Sequence, residues 1–231
     1  MKHRTGQLAV TLAAVTAAAL LAAPAQAAAP TFTISPGGTW SGTRAAGSTV
    51  GIRDAVSNQV TLCSGLTVSG SFTAGAGQSG TNAGSLTGIS FTGCKAAGVD
   101  VTVTVHTSAA NPAPINLSQV FPVGSDVVVG QATNISLTLD DANGCHAEVG
   151  ARTTSGGGPG FTGLAYRSGD ARLSFAAGGK GLFVQSATER CASAYHGLAV
   201  KQFDRISLGG FGDSIEDSSV TLTPAQTITS P

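Results

Sequence analysis

The stretch VDVTVTVH, Val99 to His106, decides the fold class. Val99, Val101, Val103 and Val105 fall on one face, and Asp100, Thr102, Thr104 and His106 on the other. A period of two marks a half-buried strand, because successive side chains of an extended chain point to opposite faces. Outward from there, NISLTL (134–139) repeats the pattern with Ile135, Leu137 and Leu139, and DDANG and CHAEVGA follow. Asn143-Gly144 supplies the positive-φ pair of a tight turn, so 134–139 and 145–151 are expected as antiparallel neighbours. Further strands are expected at 31–35, 48–54, 59–63, 66–72, 85–92, 126–130, 171–176, 181–186, 204–208 and 218–223. Many short strands with Gly, Asn and Ser between them predict an all-β fold, an antiparallel β-sandwich of immunoglobulin-like or Greek-key order. Only SATERCASAYHGL (186–198) reads helical, which allows at most one short helix near 187–197. The Gly-rich tracts at 73–84 and 154–160 carry no apolar period and are expected as exposed loops.

The chain begins MKHRTGQ, continues through an Ala-rich apolar run at 8–24 and reaches Ala25-Gln26-Ala27. A basic start, an apolar middle and a small-x-small end are the parts of a secretory signal peptide. The run is shorter than the ~20 residues a spanning helix needs. Residues 1–27 are therefore expected to be removed, leaving 28–231 as one exported domain with no membrane span. That part carries ten Lys/Arg against twelve Asp/Glu and has no basic stripe, which argues against nucleic acid as a partner.

Four cysteines, Cys63, Cys94, Cys145 and Cys191, all lie in the exported part. An even count in such a chain reads as two disulfides. No C-x-x-C occurs, and no His stands at ligand spacing, so neither zinc nor another cofactor is expected. Of the three pairings, Cys63–Cys94 with Cys145–Cys191 is favoured, because each pair brackets one strand-rich segment. The two bracketed segments resemble each other loosely, which raises an internal duplication with halves meeting near 120–131.

The ordered set TLCSGLTVSGSF, GISFTGC, PAPINL (112–117), NGCHAEVGA, LAYRSGDARLSF and the closing TITSP resembles a group of exported actinobacterial β-rich proteins with four cysteines. The likeness covers nearly all of 32–231, with departures at PAPINL and at AYHGLAVKQFDRISL. It implies export, disulfides and β structure, and it brings no catalytic residue, since no activity is assigned to that group. APTFTISPGGTWSGT (29–43) is more loosely similar to the opening of the neocarzinostatin-like apoproteins, small exported immunoglobulin-like sandwiches. The length and cysteine spacing of this chain differ from theirs.

Candidate chemistry is sparse. FGDSI (211–215) spells the Gly-Asp-Ser of a secreted hydrolase class, but Ser214 has no His after it. It also lacks the helices of an α/β fold, and reads as a bend before the last strand. The exported part holds His106, His146 and His196. His146 faces the same way as Glu148, so those two could share a proton or a metal. His196 stands with Tyr195, Asp204 and Arg205 in the least regular part of the chain, the first place to look for a site. Asp140-Asp141 reads as turn chemistry, and Asp213, Glu216 and Asp217 could hold a Ca²⁺. Phe72, Phe91, Phe175 and Phe183 are expected in the core, and Trp40, among glycines, partly exposed. The expectation is an exported, monomeric protein without catalysis that binds or builds at or outside the cell envelope. Its rivals are a module for a small apolar ligand or polysaccharide, and a hydrolase.

Overall fold

The computed structural model describes residues 29–46, 48, 50–152, 158–176, 181–191, 197–209 and 218–231. The expected signal peptide lies outside them. The chain runs through β1 (Thr31–Ser35), β2 (Gly38–Arg44), β3 (Val50–Asp54), β4 (Val60–Phe72), β5 (Gly75–Ser79) and β6 (Gly84–Ala96). It continues with β7 (Val99–Val105), β8 (Ala113–Val120), β9 (Val127–Ile135), β10 (Leu137–Asp141), β11 (His146–Gly150) and β12 (Gly160–Arg167). The last strands are β13 (Arg172–Ala176), β14 (Leu182–Ala187), β15 (Arg205–Ser207), β16 (Ser219–Thr223) and β17 (Thr227–Thr229). Of the short helix allowed near 187–197, residues 192–196 lie outside the described residues, and the described part holds one 3-10 turn at Glu189–Cys191.

The all-β, antiparallel, sandwich-like expectation holds, and the strand order refines it. β4 and β6 pair along their whole length, from Thr61↔Ala96 to Phe72↔Gly84. On the far edge of β4, β3 covers one end (Val50↔Cys63) and β2 the other (Gly38↔Phe72). β2 and β3 are thus one stave broken in its middle. The same holds for β7/β8, β9/β10, β11/β12, β13/β14 and β15/β16, each consecutive pair lying end to end beside its neighbours. Eight staves result, and they alternate up and down in chain order. β15 and β16 return to β3 and β2, so the hydrogen bonding closes on itself. Closure removes the unpaired edges that an open sheet would present. Next-neighbour connections take the place of the immunoglobulin-like or Greek-key crossing.

Each end of the barrel draws strands from both sides of 120–131. The β2 end adds β8, β9, β12, β13 and β16, and the β3 end adds β7, β10, β11, β14 and β15. The chain therefore crosses from end to end with every stave, and its linear halves do not make the two ends. A separate sheet in the order β17-β1-β5 caps the β2 end, with Phe32 and Ile34 turned inward.

Alternation sorts the side chains. Trp40, Val68, Phe72, Leu86, Leu173, Phe175, Val220 and Leu222 are buried in one continuous core. Ser41, Thr43, Thr67, Ser90 and Thr221 stand outside. An apolar interior under a hydroxyl-bearing exterior is the reverse of a barrel built for lipid.

Three local expectations change. The strands expected at 59–63 and 66–72 are one strand, because Gly65 is no break: it makes room for the Thr92 side chain across the ladder. The tract 73–84 contains β5, which pairs with β1 through backbone groups that a Gly/Ala sequence supplies as well as any other. The β10–β11 connection has positive φ only at Gly144 (89°), not at Asn143, and Asp141 shapes it by accepting from Asn143 N and Cys145 N, both at 2.9 Å.

Candidate functional site

The bridges join Cys63 to Cys94, directly opposite each other on β4 and β6, and Cys145 to Cys191. His106 is exposed just past β7. His146 stands opposite Asp140 on the β10–β11 ladder, with its Nδ1 2.6 Å from Asp140 Oδ1 on a solvated face. Its partner is therefore Asp140 and not Glu148, which accepts from Ser186 Oγ at 3.2 Å. Tyr195, His196, Asp213, Ser214, Glu216 and Asp217 lie outside the described residues. Among the described residues, no three of His, Cys, Asp and Glu come together closely enough to hold a metal ion.

Two buried carboxylates are structural ties. Asp141 Oδ2 accepts from Leu198 N at 2.9 Å, fastening the 197–200 segment to the β10–β11 turn. Asp204 accepts from Lys201 N at 2.7 Å, and burial together with the neighbouring Asp54 carboxylate pushes its pKa up. Trp40, expected to be partly exposed, is 3% exposed with its ring 5.5 Å from that of Phe72. It points inward because alternation along β2 leaves Thr39 and Ser41 outside. Phe183, expected in the core, faces outward on β14, where Leu182 and Val184 take the inner positions.

Phe183 belongs to a surface groove of about 390 Å³ at the waist of the barrel, where the staves are broken. Its walls are Phe161 on β12 and Phe183 on β14, with Arg152 and Pro159 from the β11–β12 connection and Thr133 and Asn134 from β9. Glycine makes the floor. A Cβ on Gly181 would collide with the Phe161 ring, and one on Gly160 with the Gly181 carbonyl. Gln185 Nε2 fixes both ends of the connection by donating to Ala151 O at 3.1 Å and Gly158 O at 2.6 Å. That places the Arg152 guanidinium 5.9 Å from the Phe183 ring centre and 5.8 Å from that of Phe203, within range of cation–π attraction.

Phe203 is held out at 49% exposure with φ of 71°, a conformation that costs a bulky residue roughly 1–3 kcal/mol. The turn around it enforces that strain. Phe203 N donates to Val184 O at 2.8 Å, Asp204 N to Lys201 O at 3.0 Å, and Gln202 Nε2 to Gln185 O at 2.9 Å. Phe203 lies in the irregular connection singled out in the sequence. Arg152 and Phe161 carried only a weak signal, their position at the two ends of a Gly-rich tract.

Two other concavities differ in chemistry. Across Pro159, a groove of about 260 Å³ is lined by His106, Thr138, Glu148 and Gln185. On the outer face of β2, β4 and β6, a trough of about 430 Å³ is lined by hydroxyls of Ser41, Thr43, Thr67, Ser69 and Ser90. Thr107 also lines it, and its buried hydroxyl has no hydrogen-bond partner among the described residues. Of these three, and among the described residues, the Phe161–Phe183 groove combines apolar side chains with a cation. Fold and groove together define a disulfide-bonded antiparallel barrel of sandwich-like build with an apolar surface site. No family model, curated protein or solved structure matches the chain.

Proposed function

We propose that this protein is exported and acts at or outside the cell envelope as a non-catalytic binding protein, taking a small apolar ligand in the Phe161–Phe183 groove. One observation carries the reading. Two large aromatic side chains, Phe161 and Phe183, stand at the surface on either side of one groove, beside the Arg152 guanidinium. Two disulfides and the basic–apolar–small N-terminal sequence support an oxidising destination. Side chains fill the barrel interior, so a ligand is taken on the outside.

The test is retention. Purified residues 28–231 are incubated with extracts of exported metabolites and with cell-wall preparations, beside Phe161→Ala and Phe183→Ala. Small apolar molecules retained by the parent and lost by both variants support the reading. Equal retention by all three proteins removes the groove from it, and retention of cell-wall material by all three favours a structural role on another face.

A further inference from the structure

We infer that the ligand of this groove is an anion, a flat apolar or aromatic ring bearing a carboxylate, with Arg152 as the group that reads its charge. The inference rests on the binding reading above and goes past it by naming the chemical class.

Among the described residues, the groove lining contains one charged side chain, Arg152, and no acidic one. Among the described residues no carboxylate forms an ion pair with it, and its contacts are the rings of Phe183 and Phe203. A guanidinium flanked by two rings keeps its in-plane N–H donors free for an acceptor, and a carboxylate matches that fork with two parallel hydrogen bonds. The rings also shield one side of the cation from water, which strengthens attraction to an anion over that of a fully solvated arginine.

Orientation follows from the neighbouring groove. Glu148 lies on the other side of Pro159, so an anionic end directed there would be repelled. The charged end therefore belongs at Arg152, and the ring belongs between Phe161 and Phe183, where the lack of a side chain on Gly181 lets the Phe161 ring pack directly against the backbone. Asn134 does not compete for this role, because its amide already donates to Asn111 Oδ1 at 3.0 Å and Pro112 O at 3.2 Å. The ligand class is thus set by the Arg152 cation beside an apolar slot formed by Phe161 and Phe183.

The experiment measures binding of three probes of one shape to residues 28–231: a naphthalene carboxylate, its primary amide and the matching methylammonium. Binding is followed by chemical shifts of the Phe161, Phe183 and Phe203 rings. The carboxylate is expected to bind at least about tenfold tighter than the amide, and the ammonium most weakly. Arg152→Gln, a change at an exposed position, is expected to bring the carboxylate down to the amide's affinity while leaving the amide unchanged. Phe161→Ala is expected to weaken both. Equal affinity for carboxylate and amide overturns the inference, as does a carboxylate preference that survives Arg152→Gln. If the amide binds and is lost in Phe161→Ala while no carboxylate preference exists, the groove reading stands and the charge assignment fails. If no probe shifts the three rings, both fail.

Discussion

The two ends of the barrel reach the same closed hydrogen bonding by different means. The end built from β2, β8, β9, β12, β13 and β16 is packed with large rings: Trp40, Phe72, Tyr166 and Phe175 are buried there, and Phe32 covers them from the cap. Phe72 lies 5.5 Å from Trp40 and 6.3 Å from Tyr166 between ring centres. At the other end, the buried apolar side chains of β3, β7, β10, β11, β14 and β15 are aliphatic, and none of the buried aromatics falls on those strands. Both disulfides are there instead, Cys63–Cys94 between the β3 and β7 flanks and Cys145–Cys191 below β11. Large rings bury much area per residue ordered, roughly 150–250 Å² each. A core of Val, Ile, Leu and Ala buries less, and covalent closure of the unfolded chain offsets the difference. One fold thus has an end stabilised by packing and an end stabilised by cross-links.

That contrast can be broken experimentally. Phe72→Ala empties the junction of the aromatic cluster and is expected to cost about 3–5 kcal/mol in denaturant unfolding. Replacing Cys145 and Cys191 together by Ala is expected to cost about 3–4 kcal/mol on the chain-entropy account. Hydrogen exchange sharpens the comparison. The Phe72 variant should lose protection first at Leu86 and Leu164, and the cysteine variant first at Leu139 and Val149. Uniform loss in both would show that the two ends unfold as one unit.

A smaller effect is expected at the seam between cap and barrel. Tyr166 Oη donates to Gln226 O at 2.6 Å and accepts from Gln226 N at 3.0 Å, and Gln226 Oε1 accepts from Gly37 N at 3.0 Å. Tyr166→Phe leaves that buried backbone pair without its partner and should cost about 1–3 kcal/mol. An unchanged melting temperature would mean that the Tyr166 hydroxyl adds nothing to the hold of the cap, which then rests on buried Phe32, Ile34 and Ile228 and on the remaining hydrogen bonds.

The smallest effect depends on pH and lies at the cross-linked end. The folded-state pKa of Asp204 is raised, first by burial, so folding favours its protonated form. Its stabilising share is present in full below the unfolded aspartate range and is lost as pH rises through the folded value. Asp204→Asn is neutral throughout. It should raise the melting temperature at neutral pH, and the gain should vanish in acid. A gain that is equal at both pH values would place its origin outside the carboxyl charge.

The strands were legible because alternation is a local signal. The β7 valines, the β10–β11 pair and β16 all fall where period two puts them. Cysteine bracketing likewise led to Cys63–Cys94 and Cys145–Cys191, since a bridge between ladder neighbours needs its ends near each other in the meander. β5 escaped notice because Gly and Ala give a strand no apolar face to read. Trp40 and Phe183 each lie on the side opposite to the one expected, because neither flanking glycines nor an apolar side chain reports which face of a strand meets the core. The Phe161–Phe183 groove was hidden for a related reason: Arg152, Phe161 and Phe183 come from one connection and two separate strands, and Phe203 beside Arg152 from a second connection.

By itself, then, the sequence determined an antiparallel all-β chain with a period of two and a near-neutral, hydroxyl-bearing exterior, which depend on residues close along the chain, and, from the bracketing of strand-rich segments, its two cross-links. Only the tertiary structure decided that twelve of the strands join end to end into six of eight staves and that the last returns to the first. It also decided that one end packs rings while the other carries the bridges. Those outcomes depend on which strand edges meet, a choice made by long-range hydrogen bonding and by how well the buried faces fit together.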